Sequence, residues 1–117
     1  MATALNEHIV TSYEDELINL NKAISEMGGM VEQAITDAAN ALLKLDHKAA
    51  QDVRQYDKRT DGMKDRITEM AVSIIARRQP TARDLRLLIA ISKTTANLER
   101  VGDEAEKMAR MVRSIIQ

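Results

Sequence analysis

The stretch Leu98-Glu99-Arg100-Val101-Gly102-Asp103-Glu104-Ala105-Glu106-Lys107 carries two periodic patterns at once. Leu98, Val101, Ala105 and Met108 recur at steps of three and four, the spacing of one apolar helix seam. Glu99 and Asp103 stand four apart, so the same helix turns both carboxylates to one side, on a face away from that seam. Like charges at this spacing repel by a few tenths of a kcal/mol unless a counter-ion neutralises them. A cation would do so if the rest of the chain supplies further ligands.

Working outward, the same alternation of three and four extends along the third segment through Leu87, Ile91, Thr94, Leu98, Val101, Ala105, Met108, Val112 and Ile115. A second seam runs through Ala49, Val53, Tyr56, Thr60, Met63, Ile67, Met70 and Ile74. A third runs through Leu17, Leu20, Ile24, Met27, Val31, Ala34, Ala38, Ala41 and Leu45. Strand signals are absent: there is no alternating run, one proline and only four glycines. Three sustained heptad patterns joined by short breaks predict an all-α fold, an antiparallel three-helix bundle.

The breaks have their own chemistry. Ser12 with Asp15, or Thr11 with Glu14, resembles a capping box before the first helix. Asp46 can cap the second, and Thr81 with Asp84 the third. Pro80 cannot continue a helix and disfavours helical backbone at Gln79. The expectation is a single domain over 1–117, with an N-terminal arm at 1–12 and helices near 13–45, 47–78 and 82–116. Gly28-Gly29 lies inside the first helix, where a close helix–helix approach or a bend is the expected reason for it.

The second helix carries its own acid pair, Asp57 and Asp61. Asp61 lies 19 residues before Pro80 and Glu99 lies 19 after it; Asp57 and Asp103 are each 23 away. In an antiparallel hairpin this equidistance sets both pairs at one height, across axes only about 8–10 Å apart. Four carboxylates without histidine or cysteine suit hard or borderline cations: Mg, Ca, Mn or iron, divalent or ferric. Glu32 falls at a similar level on the first helix and is a possible extra ligand. The competing reading is a solvated acidic surface in which Asp103 pairs with Lys107, Glu106 with Arg110, and Asp61 with Lys64.

Composition narrows the function classes. The 117 residues carry a formal charge of −1 with both signs interspersed, which leaves no electrostatic footprint for nucleic acid. There is no phenylalanine or tryptophan and only two tyrosines, so base stacking is disfavoured too. No run approaches the roughly 18 apolar residues of a membrane span, and residues 1–10 lack the pattern of a signal peptide. The absence of cysteine excludes thiolate metal sites and disulfides and suits a cytoplasmic location. The seven methionines read as core gap-fillers. His8 and His47 lie at segment ends, outside any Glu-x-x-His pair. No nucleophile with a base and no glycine-rich phosphate loop is present, so the expectation is a protein that is not an enzyme.

One end of the bundle is predicted to dock a partner or a second copy. Val72, Ile75, Leu85 and Ile89 cluster around Pro80 at positions off the core seams, and Ile18 reaches the same end. Arg77, Arg78, Arg83 and Arg86 surround them, and an apolar cluster rimmed by arginine has the composition of an interface. The alternative is that wide core stripes absorb these residues.

Glu99-Arg100-Val101-Gly102-Asp103, preceded by residues 78–86 (Arg-Gln-Pro-Thr-Ala-Arg-Asp-Leu-Arg) and Ile91-Ser92-Lys93-Thr94, closely resembles the PhoU family of phosphate-uptake regulators. Gly28-Gly29-Met30-Val31-Glu32-Gln33 matches the same family. The resemblance covers essentially the whole chain. It implies a three-helix repeat, of which family members carry two, whereas this chain stops at Gln117 after one. It implies paired Glu/Asp-x-x-x-Asp metal motifs, which fall on Asp57 to Asp61 and Glu99 to Asp103. It further implies a cytoplasmic negative regulator linking a phosphate ABC transporter to a sensor histidine kinase and its response regulator, with a part in persistence. The alternatives from other classes are a carboxylate-metal enzyme acting on phosphate compounds and a purely structural bundle.

Overall fold

Three helices build the chain: α1 (Ala2–Lys44), α2 (His47–Arg78) and α3 (Ala82–Ile116). The computed structural model describes the backbone of residues 2–116 and the side chains of residues 12–115. The helices pack into an antiparallel bundle of 69 × 20 × 16 Å, each in contact with both others. No strand occurs among the described residues.

The helix ends follow from local chemistry. Asp46 caps α2 as expected, its carboxylate accepting from the backbone N–H of Lys48 at 3.1 Å and Ala49 at 3.2 Å. Thr81 caps α3 by accepting from the Asp84 N–H at 3.3 Å. The Asp84 carboxylate does not complete the reciprocal bond; it accepts instead from the Tyr13 hydroxyl of α1 at 3.1 Å. Leu45 and Gln79 close α1 and α2 in the left-handed region, at φ 52° and 46°. The Asp46 N–H then donates to the Ala41 carbonyl at 2.9 Å, satisfying an otherwise orphaned helix-end acceptor.

At the other end of α1 the expectation fails. The helix begins at Ala2, so no arm spans 1–12 and the start near 13 is corrected by about three turns. Ser12 and Asp15 sit inside the helix, where the backbone N–H groups that a cap would satisfy already have partners. The side chains of His8 and Thr11 lie outside the described residues.

The core divides into two clusters. Toward the α2–α3 connection it is built of large side chains, Leu20, Met27, Ile67, Ile74, Leu88 and Ile91. Toward the α1–α2 connection it is built almost wholly of alanine, at 34, 38, 41, 50, 105 and 109, with Val53 and Val112. Val31 and Thr60 are buried between the two and belong to neither. The seams expected for α1 and α2 line this core, except that Leu45 is exposed.

The seam of α3 is rotated. Leu87, Thr94, Val101 and Ile115 are exposed, and the buried line runs through Leu88, Ile91, Thr95, Gly102, Ala105, Ala109 and Val112. At Leu87/Leu88 and Thr94/Thr95 identical neighbours left the register open, and at 101/102 hydrophobicity favoured valine over glycine. The bundle turns Gly102 inward, where Thr60 and Asp57 of α2 and Val31 of α1 lie against α3. The bulky side chains are accommodated on the flank.

Candidate metal centre

Rotating α3 by one residue moves the acids. With Gly102 rather than Val101 facing inward, Glu99 and Asp103 no longer lie on a remote face; they flank the line of contact with α2. Gly102 is buried, and a side chain there would meet Thr60 Oγ1 at 3.6 Å and both Asp57 Oδ1 and Val31 Cγ2 at 3.8 Å. Asp57 thus lies against α3 at the level of Gly102, the height inferred from counting residues to Pro80.

Asp57, Asp61 and Asp103 converge there. Each offers one carboxylate oxygen, and these oxygens lie within 4.8 Å of one another. Ligands on opposite sides of one Mg, Mn or Ca ion stand about 4–5 Å apart, so a single cation can span the trio. The electrostatics of the metal-free trio are unfavourable. Burial, then the charges of Asp61 and Asp103, then a hydrogen bond with Asp103, push the Asp57 carboxyl up to about 6. Burial and the charges of Glu99 and Asp103 raise Asp61 as well, against the opposing pull of Lys64. Asp57 Oδ1 is shielded from solvent and has no hydrogen-bond partner among the described residues. A carboxylate with one shielded, partnerless oxygen, grouped with two other carboxylates, fits a hard cation.

The counter-ions that would make this a neutralised surface are engaged elsewhere. Lys64 reaches across to Glu99, at 3.1 Å, rather than back to Asp61. Lys107 pairs with Glu104 at 3.2 Å, not with Asp103. Glu106 does pair with Arg110, as expected, and also with Arg54 at 3.6 Å. Glu106 also adds to the negative field at Asp57 and was missed in the sequence, although Glu99, Asp103 and Glu106 form an i, i+4, i+7 acid stripe. Glu99 stands beside the trio and outside it, held by Lys64. Glu32 is exposed on α1 and does not join. A side chain at Gly28 or Gly29 would meet nothing within 4 Å, so the close contact expected there is absent, whereas one at Gly102 would touch its neighbours.

The PhoU domain matches residues 24–112 of this chain. The chain belongs to the PhoU family. The phosphate-specific transport system accessory protein PhoU homolog of Pseudomonas aeruginosa is 47% identical over 107 residues, which is 92% of this chain and 44% of that protein. The Escherichia coli K12 accessory protein PhoU is 47% identical over 106 residues, 91% of this chain and 44% of its own length. The crystal structure of PhoU from P. aeruginosa superposes with a TM-score of 0.83, covering 86% of this chain and 48% of that one. This PhoU-family chain therefore spans less than half the length of the curated relatives it matches.

The expected docking residues of this PhoU-family bundle are outside the core. Ile18, Val72, Ile75, Leu85 and Ile89 are between 37% and 59% exposed, so wide core stripes do not absorb them. Ile75 follows Asp57 by 18 residues and Leu85 precedes Asp103 by 18, five whole turns in each case. The apolar quartet on α2 and α3 therefore shares a face with the acid trio. Ile18 lies on α1, across the bundle. The arginine rim is smaller than expected. Arg77 and Arg78 bind Glu16 of α1 at 3.1 and 2.8 Å, because the last turn of α2 carries their long side chains over to that helix. Arg83 and Arg86 alone of the four have no carboxylate partner among the described residues.

Proposed function

We propose that this chain is a non-enzymatic regulatory adaptor of phosphate uptake whose outward α2–α3 face carries a metal centre and a docking surface. The observation that carries the reading is the convergence of Asp57, Asp61 and Asp103, from two helices, with no salt bridge to any of them among the described residues. Glu99 is the fourth ligand in this reading, released from Lys64 when a divalent or ferric ion, Mg, Mn or Fe, enters. Such an ion supplies positive charge between two helices that otherwise repel. The protein's own part is to hold three carboxylates in register from rigid helices. The apolar quartet and Arg83 and Arg86 form the part of that face that meets a partner or a second copy.

The family and the names of the relatives support a place in phosphate transport. We read that place as negative regulation in the cytoplasm, between a phosphate ABC transporter and a sensor kinase. No helix among the described residues is long and apolar enough to cross a membrane, so the chain meets a membrane transporter in this reading from outside the bilayer. Titration calorimetry with Mn2+ tests the centre: wild type should give saturable heat, and Asp57→Ala/Asp103→Ala should give none while staying helical. Equal, negligible heats from both would overturn it. Metal-dependent phosphatase turnover by the pure protein, abolished in Asp103→Asn, would replace the adaptor with an enzyme.

A further inference from the structure

Glycine is the poorest helix former after proline, yet Gly102 stands in the middle of α3, buried against α2. Packing does not demand it. A methyl group at this position would lie 3.6 Å from Thr60 Oγ1 and 3.8 Å from Val31 Cγ2, both ordinary van der Waals contacts that leave the fold intact. The third neighbour of that methyl group is different in kind: Asp57 Oδ1, at 3.8 Å, the oxygen that is shielded from water and has no partner. Thr60 could have supplied one, but its hydroxyl donates at 2.8 Å to the Asp57 backbone carbonyl instead. Among the described residues no group donates to this oxygen.

We propose that Gly102 is a positioning residue of the cation site, leaving the Asp57 carboxylate free to turn by placing no side chain of its own against Oδ1. The inference rests on the metal centre proposed above and names the residue that keeps it open. Alanine at 102 would set a methyl group 3.8 Å from that oxygen and hinder the carboxylate from turning toward an entering cation. Serine would place a hydroxyl there, able to donate to the same oxygen and compete with the cation for it. Either change improves the helix while damaging the site, an opposition that a purely structural glycine would not produce.

The experiment measures Mn2+ affinity by calorimetry, and melting temperature in EDTA, for wild type, Gly102→Ala, Gly102→Ser and Gly29→Ala. Gly29 serves as control because a side chain there meets nothing within 4 Å. The expected result for Gly102→Ala is a higher melting temperature in EDTA and an affinity about tenfold weaker, the scale on which supporting residues act on metal sites. Gly102→Ser should weaken binding at least as much, and Gly29→Ala should gain stability with wild-type affinity. If wild type binds Mn2+ and Gly102→Ala binds equally well, Gly102 has no part in the site and the proposal is wrong. If Gly102→Ala fails to fold, the glycine serves packing and the proposal is likewise overturned. A wild type that binds no Mn2+ removes the metal centre itself.

Discussion

Asp57 is where burial and charge act together on a single side chain, and the result is a defined pH dependence. Its folded-state carboxyl is pushed up from 3.8 to about 6. Between those values the native protein keeps a proton that the unfolded chain has lost, so metal-free stability falls as pH rises through that window. The full effect is roughly 2–3 kcal/mol. Glu16 acts in the opposite sense: chiefly the Arg78 hydrogen bond lowers it from 4.5, so its contribution is present above that value and lost in stronger acid. In EDTA the protein should therefore unfold at a higher denaturant concentration at pH 5 than at pH 7, and Asp57→Asn should flatten the difference. A wild type more stable at pH 7 would contradict this account. The acids themselves were legible in the sequence, since four-residue spacing and equal distance from Pro80 need only a hairpin. Thr60 was placed on its seam by spacing alone, but Gly102 was not, because it does not score as apolar and is buried by proximity of helices rather than by its own hydrophobicity. The partners of Lys64 and Lys107 were also hidden, for a lysine reaches several carboxylates and only coordinates decide which.

Helix ends divide into those with chemistry of their own and those without. α2 and α3 start and stop where Asp46, Pro80 and Thr81 say they should, because a cap or a missing N–H acts within one turn. The start of α1 misled because Ser12 followed by Asp15 is what a capping box looks like, and the same residues are also tolerated on a helix surface. Leu45 is a conspicuous end of another kind: a half-exposed leucine held at φ 52°, in a region where a β-carbon costs about 1–2 kcal/mol. Leu45→Gly should accordingly stabilise the protein by about 1 kcal/mol, seen as a raised denaturant midpoint at unchanged slope. Asp46→Ala, one residue on, should lose about 1 kcal/mol as two N–H groups of α2 lose their acceptor. If Leu45→Gly destabilises instead, its side chain packs more than its exposure indicates.

At the scale of the whole molecule, the α2–α3 face joins an apolar end to an acidic middle. Val72, Ile75, Leu85 and Ile89 are exposed, so replacing Ile75 and Leu85 with aspartate should leave the bundle folded. Sedimentation should show wild type as a dimer and Ile75→Asp/Leu85→Asp as a helical monomer; a monomeric wild type would assign this face to a different partner. The bundle was legible in full from its heptads, whereas the rotation of α3 that puts these surfaces on one face was not. One feature of the core bears on how such a rod behaves as a unit. Between its large-residue half and its alanine half lies a layer of Val31, Thr60 and Gly102, against which Asp57 sits. Two cores so joined can open separately, and amide protons in each would exchange on their own schedule. A cation bridging α2 to α3 at that layer splices the halves, so that opening one requires opening the other. On the metal centre proposed above, the loaded and unloaded proteins would share one shape and differ in cooperativity, and a partner gripping the apolar end would feel the cation as stiffness.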